Sequence, residues 1–215
     1  MSIRTDMAAE SFSQAGGAEK LQGVKVKNKV IENARLEVTD ITIETQEAAE
    51  KLGRPVGRYI TLTATDSTFD MYSDSFRERA EVIAKAIGEL CGGCERFLAV
   101  GLGNYALTSD AVGPLTAEKI FATRHIKSLA KEIDTDDLGE VTVIQPGVLG
   151  NTGIESSEQV KAIAERVRPQ AVIAVDALAC SELSNLGRTI QLCNTGISPG
   201  SGVENARKEL SLSTL

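Results

Sequence analysis

Two aspartates in this chain of 215 residues stand where short apolar runs give out. Asp110 closes the stretch GLGNYALTSD after the run FLAV, and Asp176 directly follows AVIAV. A carboxylate at the end of a buried run is costly to desolvate unless something compensates it. Two such groups brought close together do not both ionise easily, so one is held protonated while its partner stays charged. That combination can activate water and protonate a leaving amine, the minimum for peptide-bond hydrolysis without a metal. The plainer reading makes Asp176 an acceptor for loop N–H groups and Asp110 a cap near a helix start. A third carboxylate, Glu155 in PGVLGNTGIE, follows the next apolar run, VTVI.

Other chemistries fit parts of the pattern and fail elsewhere. Gly101, Gly103 and Ala106 have the spacing of a dinucleotide-binding turn, yet that turn needs a helix directly after the glycines and an acid at the end of the second strand. Here the helix starts late and the second run ends in Gln145-Pro146-Gly147. The segment GISPG matches a nucleophile elbow around Ser198, but Pro199 lacks the N–H that an oxyanion would need. His125 is the only histidine, well inside an expected helix, so a two-histidine metal site has no residues within one chain. Cys91 and Cys94 form a CxxC whose Gly92-Gly93 reads more simply as a helix stop, and a zinc site would need Cys180 and Cys193 to converge on it. No metal and no cofactor are expected.

Composition narrows the classes further. Hydrophobic residues make up 42% and charged residues 25%, as in an ordinary globular protein with a real core. A net charge of −7, 4% aromatic residues and no tryptophan argue against a nucleic-acid surface. No stretch approaches the roughly 20 apolar residues of a membrane span, and MSIRTDMAAESF lacks the pattern of a secretory signal. A cytoplasmic protein with reduced thiols is expected.

The elements that must position these acids fall into two parts. Residues 23–45 alternate apolar and polar at period two around Glu32-Asn33, which suits an antiparallel hairpin, and residues 58–64 suit another strand. A helix is expected over 75–91, opened by a Ser75/Glu78 capping box and carrying Phe76, Ala80, Ile83, Ile87 and Leu90 on one stripe. From residue 96 the rhythm changes to FLAVGLG, VTVIQPG and AVIAVDALA, runs with little alternation that suit strands buried on both faces of a parallel sheet. Between them, one helix is expected from near Pro114 through Ile133, and a second from Ser156 to before Pro169. A short helical piece, the strand TIQLC and a glycine-rich loop with a short helical tail complete the chain. The fold class is α/β: a mostly parallel twisted sheet with helices on both faces, plus an N-terminal β-rich lobe. In such a sheet ligands gather beyond the carboxyl ends of the strands, where Asp110, Glu155 and Asp176 all emerge.

These segments resemble the germination protease family, endopeptidases of spore-forming bacteria that degrade small acid-soluble spore proteins. VGLGNYALTSDAVGPL followed by TRH, PGVLGNTGIESSE, AVDALA and TIQLCNTGISPGSGVENARKELSLSTL are similar to the family's blocks in order, over roughly residues 96–215. Residues 12–95 are more weakly similar. The resemblance implies an atypical aspartic peptidase with a fold like the hydrogenase maturation proteases. Its catalytic aspartates fall on Asp110 and Asp176, with Gly101, Gly103, Asn104, Gly153 and Glu155 as weaker assignments to the turn and the substrate cleft.

The family is made as a precursor that removes its own propeptide at a site ordered threonine, acid, hydrophobic, small, any residue, glutamate. Thr5-Asp6-Met7-Ala8-Ala9-Glu10 follows that order. Cleavage between Asp6 and Met7 is expected, on a flexible terminus able to reach a cleft. The domain plan is then a propeptide over 1–6, an N-terminal lobe over 7–95 and a catalytic core over 96–215. The resemblance also implies a homotetramer in the forespore or spore core, with spore proteins as substrate and no direct nucleic-acid or membrane partner. Family members continue past the point where this chain stops, Asn194 stands where an aspartate is expected, and Glu204 interrupts a glycine-rich stretch. The alternative is a non-catalytic, truncated relative that binds spore proteins or another subunit.

Overall fold

The computed structural model describes residues 5–16, 21–66, 68–129, 135, 138–197, 210–211 and 214. Contacts divide the chain into two compact units, Met1–Gly92 with Leu178–Thr195, and Gly93–Ala177 with Gly196–Leu215. The protein is α/β: one unit carries a four-stranded antiparallel sheet and the other a three-stranded parallel sheet, each with helices.

In the first unit, period-two alternation forms the expected hairpin, β1 (Val24–Ile31) and β2 (Leu36–Ile43), joined by a 3-10 turn at Glu32–Ala34. The strand β3 (Gly57–Ala64) pairs antiparallel with β2. The run TIQLC forms a strand, β7 (Thr189–Cys193), but it pairs antiparallel with β3 and closes this sheet in the order β1-β2-β3-β7. Leu178–Thr195 therefore groups with the N-terminal residues, although it was expected within the 96–215 core. The parallel character is thus confined to three strands. Two short helices were not foreseen, α1 (Ala8–Gln14) and α2 (Gln46–Leu52), the latter capped by the Thr45 hydroxyl. They cover the sheet face carrying Ile41, Ile43 and Tyr59. The edge strand β1 presents Lys27 and Lys29 to a groove of about 260 Å³ shared with Lys85 and Arg58, and lysines along an edge also discourage strand-to-strand aggregation.

The helix α3 (Phe76–Cys91) covers the opposite face, which carries Val38, Ile60 and Leu62. It begins after Ser75 and stops at Gly92 in the left-handed conformation, as expected. The capping box does not form: Ser75 makes no side-chain cap, because its hydroxyl pairs with that of Ser73 at 3.0 Å. The buried stripe is also rotated. Phe76 and Ala80 are exposed, while Arg79, Val82, Ile83, Ala86 and Leu90 face the sheet. Arg79 is only 2% exposed, and it donates to Ala34 O and Thr68 O while pairing with Asp66. A hydrogen bond from Arg35 lowers the Asp66 pKa well below the carboxylate range, against the cost of burial and with help from Arg79.

In the second unit, β4 (Arg96–Gly101) lies between β5 (Glu140–Ile144) and β6 (Ala171–Val175), all parallel. Alternation along β4 sends Leu98 and Val100 toward Val160 on α7 (Ser156–Val167), and the Gly101 position toward Gly113 and Ala117 on α4 (Val112–Lys119). Helices therefore lie on both faces of β4. Only β4 is deeply buried; β5 and β6, expected to be buried on both faces, are half-buried along their whole length because they flank a sheet of three strands. The single helix expected from Pro114 to Ile133 is two, α4 and α5 (Arg124–Leu129), and Ile133 lies outside the described residues. Thr123 makes the break: its N–H donates to Val141 O, its hydroxyl donates to Gly139 O and accepts from Val141 N. Those bonds pull the chain off the helix axis and onto the start of β5.

Candidate active site

The turn after β4 is built from close backbone approaches. Leu102 N donates to Val175 O at 2.8 Å, joining the ends of β4 and β6. Gly103 follows at φ +115, a conformation open to glycine, and a Cβ there would lie 2.1 Å from Asp110 O. The loop then closes on itself. Asn104 N donates both to Asp110 O (3.0 Å) and to Asp110 Oδ2 (2.9 Å), Asn104 Oδ1 accepts from Ala106 N, and Asp110 N donates to Leu107 O. The carboxylate of Asp110, half-buried at the end of a 3-10 turn over Thr108–Asp110, is thereby fixed over the end of its own strand. Asp110 is held by the loop it closes; Ala111, not Asp110, sits at the cap position of α4.

Gly113 in α4 has the tightest surroundings. A Cβ on it would lie 2.1 Å from Leu102 O and 2.4 Å from Val175 O, so the helix start rests directly on the ends of β4 and β6. Gly101 serves the same contact from the strand side, where a Cβ would lie 2.3 Å from Gly113 O. Asp176 is the next residue after Val175; it is half-buried, and its Oδ1 accepts from Ala177 N at 2.9 Å. In the order β5-β4-β6 the chain leaves β4 toward one neighbour and comes back on the other side, so β4 and β6 flank the reversal point where open α/β sheets place their ligands. Asp110 and Asp176 follow these two strands. Gly153 (φ +70) ends the short helix α6 (Leu149–Thr152), and Glu155 precedes α7, both beyond the carboxyl end of β5. All three acids thus leave the same edge of one sheet.

The competing residues are placed elsewhere. His125 is an exposed residue of α5. Ser198 and Pro199 lie outside the described residues, and so does Glu204. None of the four cysteines forms a disulfide. Asn194 has a local task, accepting from Arg58 N at 2.9 Å where β3 and β7 meet. No helix among the described residues is long and apolar enough to cross a membrane.

The family model described as germination protease matches residues 3–215. This chain belongs to the germination protease family. The germination proteases of Clostridium perfringens and Clostridium tetani are each 38% identical to it, over 218 and 221 residues, covering 99% and 100% of this chain and 66% and 67% of theirs. That of Priestia megaterium is 36% identical over 228 residues, covering 100% of this chain and 60% of its own length. The chain spans about two thirds of the length of the curated relatives it matches.

In this germination protease homologue the segment Thr5–Glu10 is not a loose terminus. Met7 is 2% exposed and α1 begins at Ala8. Gln191 on β7 grips the backbone with both ends of its amide: Nε2 donates to Asp6 O (3.2 Å) and Oε1 accepts from Ala8 N (2.6 Å). Asp6 N donates to Ala179 O, and Arg54 Nη2 donates to Thr5 O at 2.6 Å. Glu10, 6% exposed, accepts from Ser181 N and Ser181 Oγ on one oxygen and from Glu182 N and Asn185 Nδ2 on the other. Burial disfavours its charge, but hydrogen bonds from Ser181, Thr5 and Asn185 outweigh this and hold its pKa at about 2.

Gly113 and the group Arg54, Ser181, Asn185 and Gln191 are the residues that sequence reasoning missed. Gly113 lies within VGLGNYALTSDAVGPL, and a glycine in a helix start next to a strand-edge turn is a readable sign of close backbone approach. The contacts of Glu10 join residues 171 to 175 positions apart, and no local pattern announces them.

Proposed function

We propose that this chain carries the catalytic residues of an endopeptidase made as a precursor, which hydrolyses small acid-soluble spore proteins during germination through Asp110 and Asp176. One carboxylate removes a proton from water as it attacks the scissile carbonyl, and the other, protonated, passes its proton toward the leaving amine. The observation that carries the reading is the departure of both acids from neighbouring strands, β4 and β6, at the reversal point of one parallel sheet. Similarity along the whole chain to proteins named germination protease supports the substrate class. Gly101, Gly103 and Asn104 shape the turn that holds Asp110, and Gly153 and Glu155 line the cleft from the β5 side. The arrangement of β4, β5 and β6 with helices on both faces favours a fold of the hydrogenase maturation protease type, with the antiparallel unit as its N-terminal lobe. Self-cleavage falls between Asp6 and Met7, and the working form is a homotetramer in the spore cytoplasm.

Asp110→Asn and Asp176→Asn, made separately, are expected to keep the fold and to abolish both loss of MSIRTD and cutting of an added spore protein. Intact mass reads the first and gel analysis of the substrate reads the second. Full processing by either variant overturns the aspartate pair. A wild-type protein that retains a spore protein uncut is a binder and not a peptidase.

A further inference from the structure

Hydrolysis of a peptide bond requires the chain on both sides of it to enter a cleft, with its carbonyl carbon open to attack and its side chains free to be bound. The Asp6–Met7 bond meets neither condition where it lies. Its carbonyl oxygen is occupied by Gln191, the side chain that follows it is buried in the first unit, and helical hydrogen bonds begin at once, with Ser11 N donating to Met7 O at 3.1 Å. The motif's own polar ends are engaged as well. The Thr5 hydroxyl accepts from Met7 N, and the Glu10 carboxylate takes four donors from a loop running from Ser181 to Asn185. The sheet face under α1 is apolar at Ile41, Ile43 and Tyr59 but also carries the polar Thr61 and Gln191. Thr61 is 2% exposed with its hydroxyl unpartnered, beside Gln191 in the β3–β7 register. A face meant to stay covered gains nothing from such a group, whereas one that is periodically uncovered tolerates it.

We infer that Thr5–Glu10 is an intramolecular latch: docked on the antiparallel unit it shields the Asp6–Met7 bond from hydrolysis, and processing proceeds through its release, governed by the Ser181–Asn185 clamp and by Gln191. This rests on the self-processing reading given above. Release is a local opening, which costs less than unfolding the unit because the segment is short. The cleavage motif itself is untouched by changes on the receptor side, so those changes separate docking from recognition.

The test uses full-length protein with Asn185→Ala and, separately, Gln191→Ala, each checked for wild-type circular dichroism. Amide exchange at Ala8 and Ser11 reads docking without reference to activity, and intact mass reads the loss of MSIRTD over time. Exchange about tenfold faster, with processing accelerated in the same proportion, is the expected result. Unchanged exchange in both variants overturns the clamp. Faster exchange with slower processing overturns the latch and makes the docked segment the productive one. Faster exchange with no cleavage in any variant or in the wild type overturns the self-processing reading instead, and the two failures are thereby told apart.

Discussion

Two segments of this molecule hold a carboxylate in place by different means. Around Asp110 the precision is a property of the backbone: Gly101, Gly103 and Gly113 let main-chain atoms approach to distances that a Cβ would forbid, and the fixing donor is the Asn104 N–H. Around Glu10 side chains share the work: Ser181 Oγ and Asn185 Nδ2 donate to its carboxylate beside the Ser181 and Glu182 N–H groups, while Gln191 and Arg54 hold the neighbouring backbone at Asp6, Ala8 and Thr5. A backbone cradle has no soft member, so it holds one geometry or fails. A clamp of side chains can let go one hydrogen bond at a time. On the function proposed above, the first design suits a group that must be in the same place in every turnover, and the second a segment that has to leave.

That contrast is broken most directly at Gly113. Alanine there would place its Cβ against Leu102 O and Val175 O, both main chain and both tied into the sheet, with no flexible side-chain end to move aside. Gly103→Ala adds a left-handed φ of +115 to a 2.1 Å approach to Asp110 O. Each substitution is expected to cost about 3 kcal/mol or more, measured by urea unfolding, and to displace Asp110 so that activity falls even in the folded fraction. A loss below about 1 kcal/mol at Gly113 would mean that the strand ends have slack, and the distinction between cradle and clamp would fall.

The clamp side is sharpened by acid. Glu10 has a pKa of about 2 in the folded chain against 4.5 for a free side chain. A depressed folded value means that its contribution is fully present above about 4.5 and is lost as pH falls through about 2. Exchange at Ala8 is therefore expected to hold steady from pH 7 to about 5, after correction for the intrinsic rate, and protection is expected to shrink below that. The whole effect is about 1–3 kcal/mol, the range for leaving a buried hydrogen-bonded group unsatisfied. Loss of protection already complete at pH 5 would assign the docking to another group.

What the sequence disclosed and what it hid follow from the range of the interactions. The hairpin over residues 24–43 was legible because period-two alternation is local, and the stop at Gly92 because a left-handed cap is local too. The departure of Asp110 and Asp176 from strand ends was legible for the same reason. The partner of the TIQLC strand was not: an apolar β-rich run announces a strand without saying which of two sheets it joins, and pairing of Ile60 with Leu192 is a matter of tertiary fit. Nor was Arg79, which hydropathy places outside and which the structure buries because Asp66 and two carbonyls satisfy its guanidinium. The split between α4 and α5 escaped notice because a threonine hydroxyl bridging to β5 outweighs a periodic apolar stripe.

Gly153 offers the mildest perturbation and the finest test of the backbone account. Like Gly103 it has a positive φ and belongs to a turn beyond a parallel strand, but nothing lies within 4 Å of the position its Cβ would take. Alanine there meets only the conformational cost of a left-handed residue, about 1 kcal/mol, with no collision to relieve. Gly153→Ala is therefore expected to lower the unfolding midpoint slightly and to leave the Asp110 turn undisturbed, as read from the amide chemical shifts of Asn104 and Asp110. If Gly153→Ala proves as damaging as Gly103→Ala, positive φ alone accounts for both glycines, and the close approach to Asp110 is incidental. If the two differ by the expected margin, the excess at Gly103 measures how hard the backbone presses on the carboxylate it holds.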